Sequence, residues 1–171
     1  MIKYLEKPES NAENRSVCMN QFYNIFTNPF LMTGVCSWFI AQVLKTIIHF
    51  IITKKFDIHR LFGDGGMPSG HSATVTSLAT ISALVYGTSS FEFAVTAILA
   101  IIVCHDAMGV RLETGKQAAV LNDLMEVIDM LTTEKLPEVK LKEFVGHTPT
   151  QVFAGFLVGI INAVVMYKVI F

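Results

Sequence analysis

Gly65-Gly66-Met67-Pro68-Ser69-Gly70-His71-Ser72-Ala73 joins a charged loop to a long apolar run. Pro68 ends one element and Ser69 is suited to cap the next, so a helix is expected to start at Gly70. Gly65, Gly66 and Gly70 let the backbone approach a ligand closely, and the unpaired N–H groups of the helix's first turn favour an oxyanion. His71, inside that turn, carries a side chain able to donate a proton near neutral pH. The same residues would also make an ordinary capped helix with a histidine at its rim, so the stretch needs support from the rest of the chain.

That support begins with composition. The chain has 171 residues, of which 52% are hydrophobic and only 16% charged, and its mean hydropathy is +0.51. This is too apolar and too poor in charge for an ordinary soluble domain, and the expected class is an all-α integral membrane bundle. A formal net charge of −1 and the lack of a basic run argue against a nucleic-acid partner. Cys18, Cys36 and Cys104 lack metal-ligand spacing and read as reduced packing residues. The charged start, with Lys3, Glu6, Lys7, Glu9, Glu13 and Arg15, shows no cleavable signal peptide.

Outward from the central motif, the hydropathy pattern implies about four transmembrane helices. Residues 1–28 form a polar tail that turns amphipathic at Phe22, Tyr23, Ile25 and Phe26, which suits an interfacial helix ending at Asn28-Pro29. The membrane domain then occupies residues 29–171. Its first span, Phe30 to Thr53, is long enough for a hydrocarbon layer of about 30 Å. It carries Lys45 and His49 on one face, and Lys45 either snorkels to the interface or faces a partner inside. Gly70 to Tyr86 is the second span, rich in the small residues that let helices pack closely in lipid. Phe91 to Met108 is the third, and Asp106 near its end needs a cation, which Lys45 or Arg111 can supply. Gly115 to Leu131 alternates apolar residues with Asp123, Glu126 and Asp129 at helical spacing, an amphipathic helix outside the bilayer core. A charged linker broken by Pro137 leads to the last span, Val152 to Phe171, where Gly155, Gly159 and Ala163 form a ridge for helix contact or self-association.

Three Lys/Arg follow the first span and five follow the third, against none between the second and third. The two basic loops are therefore expected in the cytoplasm of a multi-pass cell-membrane protein, and the active face with them. Reversing the orientation would still leave His71, Arg111 and His147 at one membrane face, with Lys45 and Asp106 just inside it.

Gly65 to Ala73 resembles the second motif of the type-2 phosphatidic acid phosphatase and vanadium haloperoxidase superfamily. Gly146-His147-Thr148-Pro149-Thr150-Gln151-Val152-Phe153-Ala154-Gly155 resembles its third, in which a histidine is followed at +4 by Asp, at +5 by Val and at +8 by Gly. Ala41-Gln42 with Lys45, the run from Asp106 to Arg111, and Lys142 to Pro149 are similar to the short, divergent bacterial branch of that superfamily, so the likeness covers about residues 28 to 165.

The resemblance implies metal-independent phosphoryl transfer, without a cofactor, through a phosphohistidine. His147 would match the nucleophile and His71 the general acid, while Ser69 and the Gly70 N–H would hold phosphoryl oxygens, with Lys45 as a counterpart of the first motif's lysine. The third motif's Ser-Arg pair is replaced here by Lys140-Leu141, and Arg111 or Lys142 is placed to substitute as a phosphate ligand. Gln151 stands where the superfamily has aspartate: it can orient His147 by a hydrogen bond but brings no charge, a deficit that Asp106 or Glu143 would have to offset. The expected substrate is a lipid phosphate or isoprenoid diphosphate at the bilayer surface. The alternative is a non-catalytic membrane protein that keeps the phosphate pocket for binding, sensing or transport.

Overall fold

Asn28 starts the first described long helix by accepting hydrogen bonds on its side chain from the N–H groups of Phe30 and Leu31, at 2.9 and 3.1 Å. Pro29 fills the first position, where a missing N–H costs nothing. The computed structural model describes residues 23–54, 65–131, 141–143 and 145–171. The polar tail up to Phe22, most of the first basic loop and the charged linker around Pro137 lie outside the described residues. Of the expected interfacial helix, only a turn at residues 23–26 falls within them.

Five helices follow in order: α1 (Pro29–Thr53), α2 (Gly70–Tyr86), α3 (Phe91–Met108), α4 (Val110–Leu131) and α5 (Pro149–Ile170). Ser69 caps α2 by accepting from the Ser72 N–H, and Ser90 caps α3 by accepting from that of Phe93. α1 and α5 are each long and apolar enough to cross a membrane, as is the run Phe91–Leu131 formed by α3 and α4. The expected fourth span, α2, has 17 residues, which at 1.5 Å each make about 25 Å, short of the hydrocarbon layer. Its place explains its composition: α1, α3 and α5 all pack against it.

A helix that is central yet rich in Ser and Thr must satisfy its hydroxyls. Three are satisfied internally, Thr74 donating to the Gly70 carbonyl, Ser77 to that of Thr74 and Thr80 to that of Thr76, at 2.8–2.9 Å, whereas the buried Thr76 hydroxyl has no partner among the described residues. The small residues of α5 bring backbones together. A Cβ on Gly155 would collide with the Ser69 carbonyl, and one on Gly159 would lie 2.5 Å from the Ala73 carbonyl. The ridge of Gly155, Gly159 and Ala163 is thus filled within the chain by α2. Beside that ridge, α5 meets α1 through buried Asn162, whose amide donates to Ser37 Oγ at 2.6 Å and the Thr33 carbonyl at 3.2 Å. Asn162→Ala is expected to destabilise the bundle by about 1 kcal/mol, in the range of interhelical hydrogen bonds in membranes, as measured by unfolding in detergent.

The amphipathic helix begins earlier than the sequence pattern suggests. Only Gly109, with φ −98° and ψ −99°, separates α3 from α4, and Gly109 still accepts a helical hydrogen bond from the Glu113 N–H at 3.0 Å. Apolar spacing does not mark this start because the first turn, Val110 to Glu113, carries Arg111 and Glu113.

Candidate active site

Four chain segments converge at one end of the bundle: the start of α2, the end of α3, the start of α4, and residues 145–147 ahead of α5. His71 rises from the first turn of α2. His147 sits just before α5, buried, with its N–H donating to the Ala107 carbonyl at 3.0 Å. Gly146 makes that placement possible. Its φ is +84°, and any Cβ there would strike the backbone at Leu112.

α4 holds this segment along one face. A Cβ on Gly115 would lie 2.5 and 2.7 Å from the carbonyls of Glu143 and Val145, so the chain passes directly over that glycine. Two turns further along, Asn122 exchanges two hydrogen bonds with the Leu141 backbone, both 2.9 Å, and donates to Glu143 Oε1 at 2.7 Å. No local sequence pattern marks Asn122 for this task, and the sequence reading did not find it.

The two histidine rings stand 6.1 Å apart between centroids and are tilted by 57°. They flank a cavity of about 300 Å³ lined also by Ile102, Val103, Asp106, Ala107, Arg111, Val145 and Gly146. His71, His147, Arg111 and Asp106 therefore meet around one space. Arg111 Nε donates to Asp106 Oδ2 at 2.6 Å, which makes Arg111 the cation that Asp106 requires.

Gln151 defines the chemistry of His147. Its Oε1 accepts the Thr148 N–H at 3.1 Å, in the manner of an N3 residue in a capping box. A backbone N–H can only donate, so the atom it meets must be the amide oxygen. The same oxygen lies 3.3 Å from His147 Nδ1, which must then carry the proton. Nε2, across the ring, is left with its lone pair. The neutral amide thus favours the tautomer whose Nε2 keeps its lone pair, as a nucleophile needs, and it contributes no negative charge. That Gln151 can orient His147 by a hydrogen bond was legible in the sequence; that the same oxygen also caps the start of α5 was not.

Ser69 is fully buried. Its Oγ accepts from the Ser72 N–H at 3.3 Å and the Ser72 hydroxyl at 3.0 Å, leaving its own proton available for another acceptor. The Ser69 N–H donates to the Gln151 carbonyl at 3.0 Å, which ties the two motifs together through the backbone. Lys45 is buried, and its stem runs alongside Gly66, where an added Cβ would lie 3.3 Å from Lys45 Cγ. It reaches the glycine loop from below and does not line the histidine cavity. One turn earlier, Gln42 lies near Gly70, its Oε1 buried with no hydrogen-bond partner among the described residues. Lys142 stands apart: it is exposed, on the segment clasped by Asn122, and is not among the cavity residues.

The fold and this end of the bundle together define an all-helical integral membrane protein with two histidines facing across a cavity that an arginine lines. The chain belongs to the divergent PAP2 family, whose model matches residues 26–162. It is 42% identical over 153 residues to the uncharacterized membrane protein YuiD of Bacillus subtilis (strain 168), an overlap covering 83% of this chain and 96% of that one. No solved structure matches the chain.

Proposed function

We propose that this protein is a membrane phosphatase that hydrolyses a lipid phosphate or isoprenoid diphosphate through a phosphohistidine, without metal or cofactor. The observation that carries the reading is the pair His71 and His147 across the cavity, with Gln151 holding His147 in the Nδ1–H tautomer. The Nε2 lone pair attacks phosphorus as the ester P–O bond breaks. His71, protonated, gives its proton to the departing oxygen, so a monoester releases an alcohol and not an alkoxide, while a diphosphate, broken at its anhydride P–O bond, releases a monophosphate. Water then attacks the phosphorus as the phosphorus–nitrogen bond breaks, His71 takes the water's proton, and phosphate departs with His147 restored. Arg111, Ser69 and the Gly70 N–H offset charge on the phosphoryl oxygens, with Lys45 adding positive charge behind the loop.

A second reading is favoured by the neutral Gln151 and by the engagement of Arg111 with Asp106: a phosphate-binding membrane protein without turnover. Vanadate binding to detergent-purified protein tests the site without a guessed substrate. Wild type is expected to bind vanadate and His147→Ala to lose it; absence of binding in wild type removes both readings. Phosphate release from lipid phosphates then separates them.

The charge bias of the loops supports a cell-membrane location with the site at the cytoplasmic face. A single cysteine at Lys135, in a variant lacking Cys18, Cys36 and Cys104, is expected to resist an impermeant thiol reagent in intact cells. Ready labelling would reverse the orientation.

A further inference from the structure

A second cavity, of about 420 Å³, adjoins the first, and His71 and Val103 belong to both linings. It runs between α1, α2 and α3, from His71 past Gly34 and Val75 to Leu78. Its wall is apolar beyond the histidine. Thr74 donates its hydroxyl back to the Gly70 carbonyl at 2.9 Å, and its methyl carbon faces Gly34, 3.6 Å from where a Cβ would stand. Trp38 and Phe30 also line it, Phe30 stacked on Tyr86 with centroids 5.2 Å apart.

We propose that this groove receives the hydrocarbon tail of the substrate, and that the substrate is a single-chain phosphate monoester. The inference rests on the phosphoryl site proposed above and narrows it. Three observations carry it. The groove lies among membrane-spanning helices, so hydrocarbon is the material at hand to fill it. It meets the polar cavity at His71 and not at His147, which lines only the polar one. An in-line displacement places the leaving oxygen opposite the nucleophile, on the side of His71, and a tail attached to that oxygen passes directly into the groove. A diphosphate would put a second charged group where the lining turns apolar. Volume sets the third limit. At roughly 30 Å³ for each water-sized group, the groove's walls hold about 14 methylenes, the size of one chain, so a second acyl chain would lie outside them.

The test uses the full-length protein in mixed micelles of a neutral detergent and measures displacement of bound vanadate by tetradecyl phosphate, butyl phosphate and a diacyl phosphatidate. Tetradecyl phosphate is expected to compete better than either of the others by about ten-fold, the worth of fewer than two buried methylenes. Gly34→Leu and, separately, Val75→Phe should erase that preference by filling the groove. Ile161→Trp, on the exposed side of α5 outside the groove, should retain it. Equal competition by the phosphatidate, or a tetradecyl preference that survives both filling variants, overturns the inference while leaving the phosphoryl site standing. Failure of the wild-type protein to bind vanadate overturns the phosphoryl site, and the inference falls with it. The wild-type comparison decides the matter even if a filled variant does not fold.

Discussion

His147→Ala is expected to abolish phosphate release whatever the leaving group, and His71→Ala to abolish it selectively. Removing a nucleophile leaves only the binding groups, and losses of about 10⁴-fold or more are usual when a covalent route is lost. A general acid contributes about 10²–10⁴-fold, and its share depends on how badly the departing oxygen needs a proton. For an alkyl phosphate, His71→Ala should therefore cost that full range. For a nitrophenyl phosphate, whose leaving group is a stable anion, the loss should shrink towards the cost of the second step alone. Parallel rate measurements with the two esters distinguish the roles. If both variants lose both activities equally, the histidines act as one binding unit and their separate assignments fail.

Gln151→Glu is expected to raise turnover. Glutamate is the same length, so one carboxylate oxygen can still accept the Thr148 N–H and face His147 Nδ1. The tautomer is kept and a negative charge is gained beside a ring that becomes positive as the phosphorus–nitrogen bond forms. In a serine protease triad, replacing the corresponding aspartate by asparagine costs about 10⁴-fold, much of it through loss of the correct tautomer. Here the tautomer is already fixed, so the gain should be smaller, about ten- to a hundred-fold. A carboxylate next to the imidazole also raises its pKa, so the acid limb of the pH–rate profile should move to higher pH. The new charge lies in the first turn of α5, where the helix dipole favours it by about 0.3–1 kcal/mol, so the variant should be no less stable. An unchanged rate with a shifted pH profile would show that charge at His147 does not limit turnover.

How far the sequence alone reaches can be seen by comparing particular residues. The start of α2 and the histidine run before α5 are local patterns, and residue types at fixed offsets suffice to find them. The expected four-span hydropathy put His71, Arg111 and His147 at one face because the first and third loops of such a bundle lie on the same side. The pairing of Arg111 with Asp106, five residues apart, was one of the two the sequence offered, whereas the approach of Ser69 to Gly155 and the grip of Asn122 on Leu141 are tertiary. Each of the latter joins segments whose separation along the chain carries no signal of contact. Lys142 shows the converse limit: its nearness to His147 in sequence suggested a phosphate ligand, but the close packing of its segment on α4 leaves the side chain exposed. The apolar groove was beyond sequence reading altogether, because Gly34, Val75 and Val103 become one wall only when three helices are assembled.

The boundary at His71, polar on one side and apolar on the other, bears on where the products of a cleavage would go. A phosphate ester cut there yields two molecules with opposite solubilities. The liberated alcohol is retained by the leaflet, whereas the inorganic ion escapes to the aqueous phase. Recombination would require the ion to return from bulk solution while the alcohol diffuses away in two dimensions. Dilution into separate phases would then make the cleavage effectively one-way, with no requirement that the protein bind either product weakly.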